Sequence, residues 1–345
     1  MVSRFAGPAR SFARVADAVL TTRGGSCTPF LGEAPIRKVL YDLNYWRDAE
    51  SKPDAVIVGM SGPEELATDE LAAGWAAVAY GIPLCIFSDV LEAWKGRVWF
   101  EPLRKRADTL FVTNTDEVAE AQERYPNCSV IASGNPAFDD YFEPPFSRVE
   151  VRSRLGVDEE NLLVFISGTK IPHYNTELFA AVAEATLRLD RPCRVIISFH
   201  PSDKTPPEQY AETIRRWPHV SAVPREAMLA DDIVAGCDLV IGLIPTLGVN
   251  AACQRIPVIN YLNPETVPIV ERNSGGTVWP AVKYGVEAQV FESADELANA
   301  IRLLTDPSSH AAQQMRKRQE FVYPRRPRGT AARIMVETML QLVKK

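Results

Sequence analysis

Three short polar segments in the second half of the chain each follow an apolar run that is typical of a buried strand. A glycine, hydroxyl groups, a cation and the unpaired N–H groups of a helix start together suit a bound phosphate. Each segment alone would fit an ordinary turn, but three on one sheet predict a diphosphate site. The segments are "SGTK" (Ser167, Gly168, Thr169, Lys170), "FHPSDK" with His200, and "IPTLGVN" with Thr246, Leu247, Gly248 and Asn250.

An acidic residue, Asp89, ends an apolar run in the first half of the chain, within "FSDVLEAWKGRVWFEPLRKRAD" (87–108). A carboxylate at a strand end is suited to general-base catalysis, although a helix N-cap is the alternative. Glu92, Arg97 and Glu101 follow in the same segment. They are secondary candidates for binding an acceptor, against the alternative that the two glutamates lie on a solvated helix face.

The histidines add two candidates and no metal site. His200 directly follows an apolar run, so it is the best catalytic or ligand candidate, and His173 lies just beyond "SGTK". His219 and His310 lie in polar or proline-flanked contexts that indicate ordinary surface residues. No histidine pair has the spacing of metal ligands. The GxSxG, P-loop and GxGxxG motifs are absent as well.

These candidates need elements to position them, and short apolar runs alternating with helical patterns supply them. Such alternation predicts βαβ units and parallel sheets. A first strand at "VSRFA" is weakly indicated because Arg4 interrupts it. The other strand candidates are 26–32, 54–60, 83–89, 109–114, 128–134, 161–169, 193–201, 220–224, the run that starts at Cys237, 257–261 and 289–293.

The alternation stops over 135–155, which is rich in proline, phenylalanine and charge and so predicts a linker. The fold class that follows is α/β, with two Rossmann-like doubly wound parallel sheets facing across a cleft. We predict an N-terminal acceptor domain over 1–148 and a C-terminal donor domain over 149–329. A last helix over 330–345 completes the chain, and its return to the N-terminal domain is one alternative.

Composition excludes several classes of protein. The 345 residues carry a net charge of −6, which argues against a protein that coats nucleic acid. Six scattered cysteines without a CxxC pair favour core thiols over disulfides or zinc. Without a membrane-length apolar run or a signal peptide, a cytoplasmic location is expected. Basic clusters at 104–106, 316–318 and 325–328 read as solvated faces, with weak peripheral contact to the inner face of a membrane as the alternative.

Three segments resemble motifs of the GT-B superfamily of nucleotide-sugar enzymes, which includes glycosyltransferases and UDP-N-acetylglucosamine 2-epimerases. "VIASGNPAFD" (130–139) resembles the segment that ends the N-terminal domain in several of its families. "IPLCIFSDVLEAWKGR" followed by "RADTLFVTN" resembles their pattern of strand, acidic residue and next strand. "CDLVIGLIPTLGVNAACQRIPVINY" (237–261) resembles the donor-site segment.

The resemblance implies roles for particular residues. The helix that begins near Thr246 would receive the donor diphosphate, and Asn250 stands near the position of a ribose-binding glutamate. An amide lacks the charge of that carboxylate, so the expected consequence is an unusual donor or a lost activity. The 2-epimerase branch would instead carry catalytic acids onto Glu92 and Glu101 and a phosphate-side histidine onto His200.

The expected function is therefore glycosyl transfer from a nucleotide-diphosphate sugar, UDP-linked as one alternative, to a small or glycan acceptor. Glycan or cell-surface polysaccharide synthesis is the expected setting, with no metal and no further cofactor. A 2-epimerase or sugar-nucleotide hydrolase is the first alternative, and a catalytically silent partner protein of the same fold is the second. The sequence does not fix an oligomeric state and allows a homo-oligomer.

Overall fold

A computed structural model describes residues 1–3, 6–21, 26, 30–31, 52–62, 64–243 and 246–344. The chain forms two compact units. The first comprises Met1–Asp139, Glu271–Pro280 and Arg326–Lys345, and the second Asp140–Val270 and Ala281–Arg325. The division after Asp139 lies before the expected boundary at 148.

The first unit contains a parallel sheet whose strand order, among the described residues, is β2-β1-β3-β4-β5-β6. The short strands β1 and β2 lie where a weak first strand and the 26–32 strand were predicted, although residues 27–29 and 32 lie outside the described part of the chain. The strands are β1 (Val2–Ser3), β2 (Phe30–Leu31), β3 (Val56–Val58), β4 (Leu84–Phe87), β5 (Thr109–Val112) and β6 (Ser129–Ala132).

The second unit contains a second parallel sheet, in the order β12-β11-β10-β7-β8-β9. Each strand overlaps a strand expected from the sequence, and the predicted fold class of two doubly wound parallel sheets is confirmed. The strands are β7 (Leu162–Ser167), β8 (Cys193–Ser198), β9 (Val220–Ala222), β10 (Leu239–Gly242), β11 (Val258–Leu262) and β12 (Ala288–Phe291).

Helices connect the strands and cover the sheets. Single 3-10 turns occur at Glu64–Leu66, Val98–Phe100, Thr115–Glu117 and Val234–Gly236. The α-helices are α1 (Ala6–Thr21), α2 (Thr68–Ala79), α3 (Ala93–Gly96), α4 (Glu101–Arg104), α5 (Val118–Arg124), α6 (Phe138–Phe142), α7 (Arg148–Leu155), α8 (Pro172–Leu187), α9 (Pro207–Arg215), α10 (Ala230–Ile233), α11 (Thr246–Cys253), α12 (Val267–Ser274), α13 (Pro280–Lys283), α14 (Ala294–Thr305), α15 (His310–Val322) and α16 (Thr330–Val343).

The segment expected to be a linker, 135–155, is largely helical, because it contains α6 and α7. Helix α7 has strong local end signals. The Ser147 side chain accepts from the Glu150 N–H while the Glu150 carboxylate accepts from the Ser147 N–H, which forms a capping box. Gly156 ends the helix in the left-handed conformation at φ 63°. The sequence signal was present as S-x-x-E before the helix, and the proline-rich flanks obscured it.

Alternate residues of the first sheet enter two different cores. Val56, Val58, Leu84 and Ile86 belong to one cluster of buried side chains. Ile57, Cys85, Phe87 and Phe111 belong to a second, which also contains Phe12 of α1 and Met335 of α16. Because successive strand side chains point to opposite faces, both faces of this sheet are covered. This explains why the strands are continuous apolar runs rather than alternating ones.

The C-terminal helix α16 belongs to the first unit. It packs against α1, and its Ala332, Met335 and Val336 are buried in the cluster shared with Phe12. The chain thus ends on the unit in which it begins. Within the part of the chain that the structure describes, no helix is long and apolar enough to cross a membrane.

Glu287, which immediately precedes β12, is a buried carboxyl group that gives the second unit a pH-dependent stability. Its Oε2 has no hydrogen-bond partner, and the residue is only 4% exposed. Burial raises the pKa of Glu287 to about 8 from an ordinary value of 4.5. The folded state therefore holds a proton at Glu287 that the unfolded state has released.

We predict that the free energy of unfolding falls as pH rises from about 4.5 to about 8, by up to about 1.4 kcal/mol per pH unit from this group. Glu287→Gln, which cannot ionise, should remove this component and leave a flatter pH profile. Urea unfolding at several pH values measures the difference. Glu160→Gln, at an exposed position of the same unit, is the control. Equal profiles for wild type and Glu287→Gln would contradict the prediction.

Candidate functional site

The three polar segments predicted to bind phosphate follow adjacent strands. Strand β7 pairs with β10 on one side and β8 on the other. The register places Gly242 beside Ser167 and Ser167 beside Ser198, so the three strands end level with one another. Their connecting loops consequently start side by side at the carboxyl edge of the second sheet, where ligands of open α/β sheets bind.

Gly168 allows a close approach between two of these loops. Its N–H donates to the Ser198 carbonyl at 2.9 Å. A Cβ at this position would lie 2.9 Å from that same oxygen, closer than real Cβ contacts come. A side chain here would push apart the loops after β7 and β8, so the glycine is required by packing.

Lys170 and His200 are basic side chains at this edge. Both side chains are exposed. The Nδ1 atom of His200 accepts from the Ser202 N–H at 3.0 Å, which leaves Nε2 to carry the ring proton in the neutral form. Desolvation and the nearby Lys170 charge lower the pKa of His200, with Asp203 acting in the opposite direction. The arrangement is an ammonium next to an imidazole, which suits an anionic ligand.

The third predicted segment is only partly visible. Ile244 and Pro245 lie outside the described residues, as does the side chain of Thr246. Helix α11 begins at Thr246, so Leu247 and Gly248 lie in its first turn. The backbone N–H groups of this turn lie at the N-terminal end of the helix, which favours anions. The predicted helix start is thus present, while the role of these residues in binding stays a prediction.

Asn250 is buried and hydrogen-bonded within the second unit. It is 2% exposed. Its amide nitrogen donates to the Asp231 carbonyl at 3.1 Å, and its amide oxygen accepts from the Gln254 side chain at 2.7 Å. The expected ribose contact of Asn250 stays a prediction, and these internal bonds would have to be exchanged for it.

His173 is on the first turn of α8 and is exposed. Its Nε2 contacts the carboxylate of Glu265, which lies in the loop after β11. This contact joins the first turn of α8 to the loop after β11.

In the first unit, Asp89 is a buried, paired carboxylate at the end of β4. It is 3% exposed, and its Oδ1 accepts from the Arg97 guanidinium at 2.6 Å. Arg97 also donates to the Met60 carbonyl in the loop after β3. The Asp89 carbonyl accepts from the Asn135 amide at 2.7 Å. Arg97 and Asn135 therefore fix Asp89 at the end of β4, through contacts to the loops after β3 and β6.

Asn135 belongs to the "GNPAFD" segment, and the sequence analysis did not single it out as a site residue. Its amide oxygen accepts from the Ser11 hydroxyl at 2.6 Å and from the Ala137 N–H at 2.9 Å. Asp139 in the same segment accepts from the Gly329 N–H at 2.7 Å. The motif thus joins the β6 end to α1 and to the start of α16. In the sequence, the signal for this motif was the resemblance of 130–139 to the segment that ends the N-terminal domain of GT-B enzymes.

Glu92 lies in the left-handed conformation, at φ 54° and ψ 16°, which is unusual for a residue with a side chain. The Glu117 carboxylate secures this backbone by accepting the Glu92 N–H at 2.7 Å. It also accepts from the Trp94 indole at 3.0 Å and the Thr113 hydroxyl at 2.8 Å. Glu92 itself is buried and pairs with Lys95 at 3.0 Å. It is therefore not on a solvated helix face.

Burial raises the pKa of Glu117 to about 7, although the hydrogen bonds that it accepts act to lower it. The sequence signal for Glu117 was Asn114-x-x-Glu117, a capping pattern before α5 that the structure shows as a capping box. That pattern predicts a helix start. It does not reveal that the same carboxylate reaches back to hold the loop after β4.

Glu101 is the centre of an ion-paired cluster. Its Oε2 accepts from Tyr125 at 2.5 Å, Arg104 at 3.1 Å and Arg124 at 3.0 Å. Partial burial acts to raise the pKa of Glu101, but the tyrosine bond and the arginines together lower it to about 2. Arg104 is 1% exposed, so the basic cluster at 104–106 is only partly solvated.

No protein-family model matches the chain. No curated protein matches it either.

Solved structures that match almost the whole chain share its fold. A UDP-GlcNAc 2-epimerase from Neisseria meningitidis, bound to UDP-GlcNAc, has a TM-score of 0.68 at 14% identity, over 97% of this chain and 97% of that chain. A glycosyltransferase from Rickettsia africae has a TM-score of 0.61 at 11% identity, over 98% and 96%. HepE from Anabaena, in complex with UDP, has a TM-score of 0.60 at 14% identity, over 98% and 98%.

The chain shares the fold of these structures, and the fold expected from the sequence resemblance is confirmed. Identities of this size do not distinguish one activity from another.

We predict that Glu117→Gln frees the loop after β4. The amide nitrogen of a glutamine cannot accept hydrogen bonds, so N–H and O–H groups that donate to the Glu117 carboxylate lose their acceptor. The free energy of unfolding should fall by about 1–3 kcal/mol as a result. Hydrogen exchange should show faster exchange at Glu92 and Trp94 than in the wild type. Glu123→Gln, at an exposed position of α5, is the matched control. Unchanged exchange across residues 89–95 would contradict this role for Glu117.

Proposed function

We propose that this protein is a metal-independent glycosyltransferase that moves a sugar from a nucleotide-diphosphate sugar to an acceptor. The observation that carries the proposal is the alignment of the carboxyl ends of β10, β7 and β8, with Lys170 and His200 in the loops after β7 and β8. A nucleoside diphosphate leaves with growing negative charge. Fixed cations and helix N–H groups stabilise that charge without rearrangement.

The donor would bind to the second unit. Its diphosphate would contact the N–H groups of the first turn of α11, the Lys170 ammonium and the His200 ring, because the Gly168 and Thr169 N–H groups already donate to the Ser198 carbonyl and to Asn175. UDP is the nucleotide we favour, because the matched Neisseria and Anabaena structures contain UDP-GlcNAc and UDP. Glycan or polysaccharide synthesis is the setting that such a donor supports.

The acceptor would use groups of the first unit, with Asp89 as the general base. A carboxylate held by Arg97 and by the backbone contact to Asn135 has a fixed orientation. Proton transfer requires a group that is positioned within hydrogen-bond reach of the acceptor hydroxyl. Arg97 and Glu92 would then act on the position of Asp89 and of the loop that carries it.

A 2-epimerase or sugar-nucleotide hydrolase is the second candidate, favoured by the fold shared with the Neisseria epimerase. Its chemistry, as carried over from the resemblance, requires Glu92 and Glu101 as acids. Glu101 has a pKa of about 2 and three cationic or hydroxyl partners, so it holds no proton to donate near neutral pH. Glu92 is paired with Lys95. These contacts favour transfer over epimerisation.

We predict that Lys170→Ala weakens UDP binding by about tenfold or more, because a charge-assisted bond to phosphate contributes about 1.5–3 kcal/mol. Isothermal titration with UDP measures the change. Lys317→Ala, at an exposed position of α15, is the matched control and should bind like the wild type. Failure of the wild type to bind any of a panel of nucleotide sugars would favour the catalytically silent alternative.

We predict that Asp89→Asn lowers the rate of sugar transfer by about 10²–10⁴-fold while leaving UDP affinity unchanged, since a general base contributes that much. Asp54→Asn, an exposed aspartate just before β3, should retain the wild-type rate. The measurement is turnover of a nucleotide sugar with and without acceptor. Full transfer by Asp89→Asn would exclude Asp89 as the base. Conversion of the nucleotide sugar without any acceptor would favour the epimerase or hydrolase.

A further inference from the structure

Asn175 is a fully buried amide beneath the loops that carry Lys170 and His200. It lies in the first turns of α8 and is 0% exposed. Its side chain hydrogen-bonds to groups from two separate loops and from α9. Nothing in the sequence marks Asn175, because a lone asparagine within a helix has no distinctive pattern.

On one side, Asn175 holds the loop after β7. Its amide oxygen accepts from the Thr169 N–H at 2.8 Å and from the Thr169 hydroxyl at 3.0 Å. Its amide nitrogen donates to the Thr169 carbonyl at 2.8 Å. The hydroxyl of Thr169 in turn accepts from the Ile171 N–H at 3.0 Å. The backbone on both sides of Lys170 is therefore fixed by one buried side chain.

On the other side, the same amide nitrogen reaches the loop after β8. It donates to Asp203 Oδ2 at 3.1 Å and lies 3.3 Å from the Tyr210 hydroxyl. Asp203 is tied to the histidine turn, because its N–H donates to the His200 carbonyl at 2.8 Å. Asp203 Oδ1 accepts from the Thr205 N–H at 2.9 Å. The Asp203 carboxylate thus connects Asn175 to His200.

Tyr210 of α9 completes the arrangement. Its hydroxyl donates to Asp203 Oδ2 at 2.8 Å. Its ring stacks on Phe199, the residue before His200, with centroids 5.2 Å apart and planes 17° apart. Phe179 of α8 packs edge-on against the Tyr210 ring at 5.5 Å. Both flanks of His200, Phe199 and Asp203, are therefore held by one tyrosine.

We infer that Asn175, acting with Asp203 and Tyr210, is a positioning residue that holds Lys170 and His200 next to each other as a preformed site for the donor diphosphate. This inference rests on the proposed function. The Lys170 ammonium disfavours the protonated form of His200, so flexible loops would let the two groups separate. A buried network whose members are all hydrogen-bonded supplies the rigidity, and a site formed in advance binds with less loss of entropy.

The test combines a histidine titration with a binding measurement. The ring of His200 is followed by NMR in wild type and Asn175→Ala, with His200→Ala used to assign its signals among the four histidines of the chain. Desolvation and Lys170 both lower the pKa of His200 in the wild type. Loosening of the two loops should raise that pKa towards the ordinary value. UDP affinity should fall about tenfold.

Two further variants keep the test decisive. Asn175→Asp has nearly the same shape, but it replaces the donors to Asp203 with a like charge, so it should change the titration and UDP affinity in the same direction. Thr176→Ala, at the exposed next position of α8, should match the wild type in both measurements. If Asn175→Ala does not fold, Asn175→Asp carries the test alone.

The outcomes separate this inference from the proposed function. A lower melting temperature with an unchanged His200 titration and unchanged UDP affinity would make Asn175 a purely structural residue and overturn the inference. If wild type bound no UDP, the proposed function would fail. The His200 titration would still decide whether Asn175 holds Lys170 and His200 together, with an unshifted pKa in both Asn175 variants counting against it.

Discussion

The structure depends on parallel sheets that are buried on both faces. In the first unit, one set of strand side chains packs beneath α2 and α4, and the alternate set packs against α1 and α16. Neither face then has room for polar groups without partners, because burying an unpaired polar group costs several kcal/mol. Polar side chains are left to the strand ends, and in a parallel sheet the carboxyl ends share one edge. Asp89 and the predicted phosphate segments lie at such strand ends for this reason.

Both edges use buried polar side chains to fix the loops, but the two edges differ in what remains exposed. In the first unit, the acidic groups named from the sequence are ion-paired with basic side chains of the same unit: Asp89 with Arg97, Glu92 with Lys95, and Glu101 with Arg104. In the second unit, Asn175 is buried and Asp203 is half-buried, while the basic side chains Lys170 and His200 are exposed. The second edge thus has the electrostatic character of an anion site, which supports its assignment to the donor.

Much of the fold and of the candidate site could be predicted from local sequence patterns. The apolar runs identified the strands from β3 to β12, because strands covered on both faces, such as β4 and β7, are apolar at nearly every position. The glycine, hydroxyl and cation content identified the loops after β7, β8 and β10. The helical content of 135–155 was missed because prolines and aromatic residues outweighed the S-x-x-E signal at Ser147. Asn250 was placed on the correct helix, but its burial against Asp231 depends on a segment distant in sequence.

The sequence by itself determined which strands form, since hydrophobic burial acts on each segment alone, and it determined which residue types stand at the strand ends. Tertiary structure decided the rest. The strand order and register, set by pairing between distant segments, made the ends of β10, β7 and β8 neighbours. Contacts across 25 and 28 residues of sequence joined Glu117 to Glu92 and Asn175 to Asp203. Those contacts follow from how the loops pack on one another, and no local spacing encodes them.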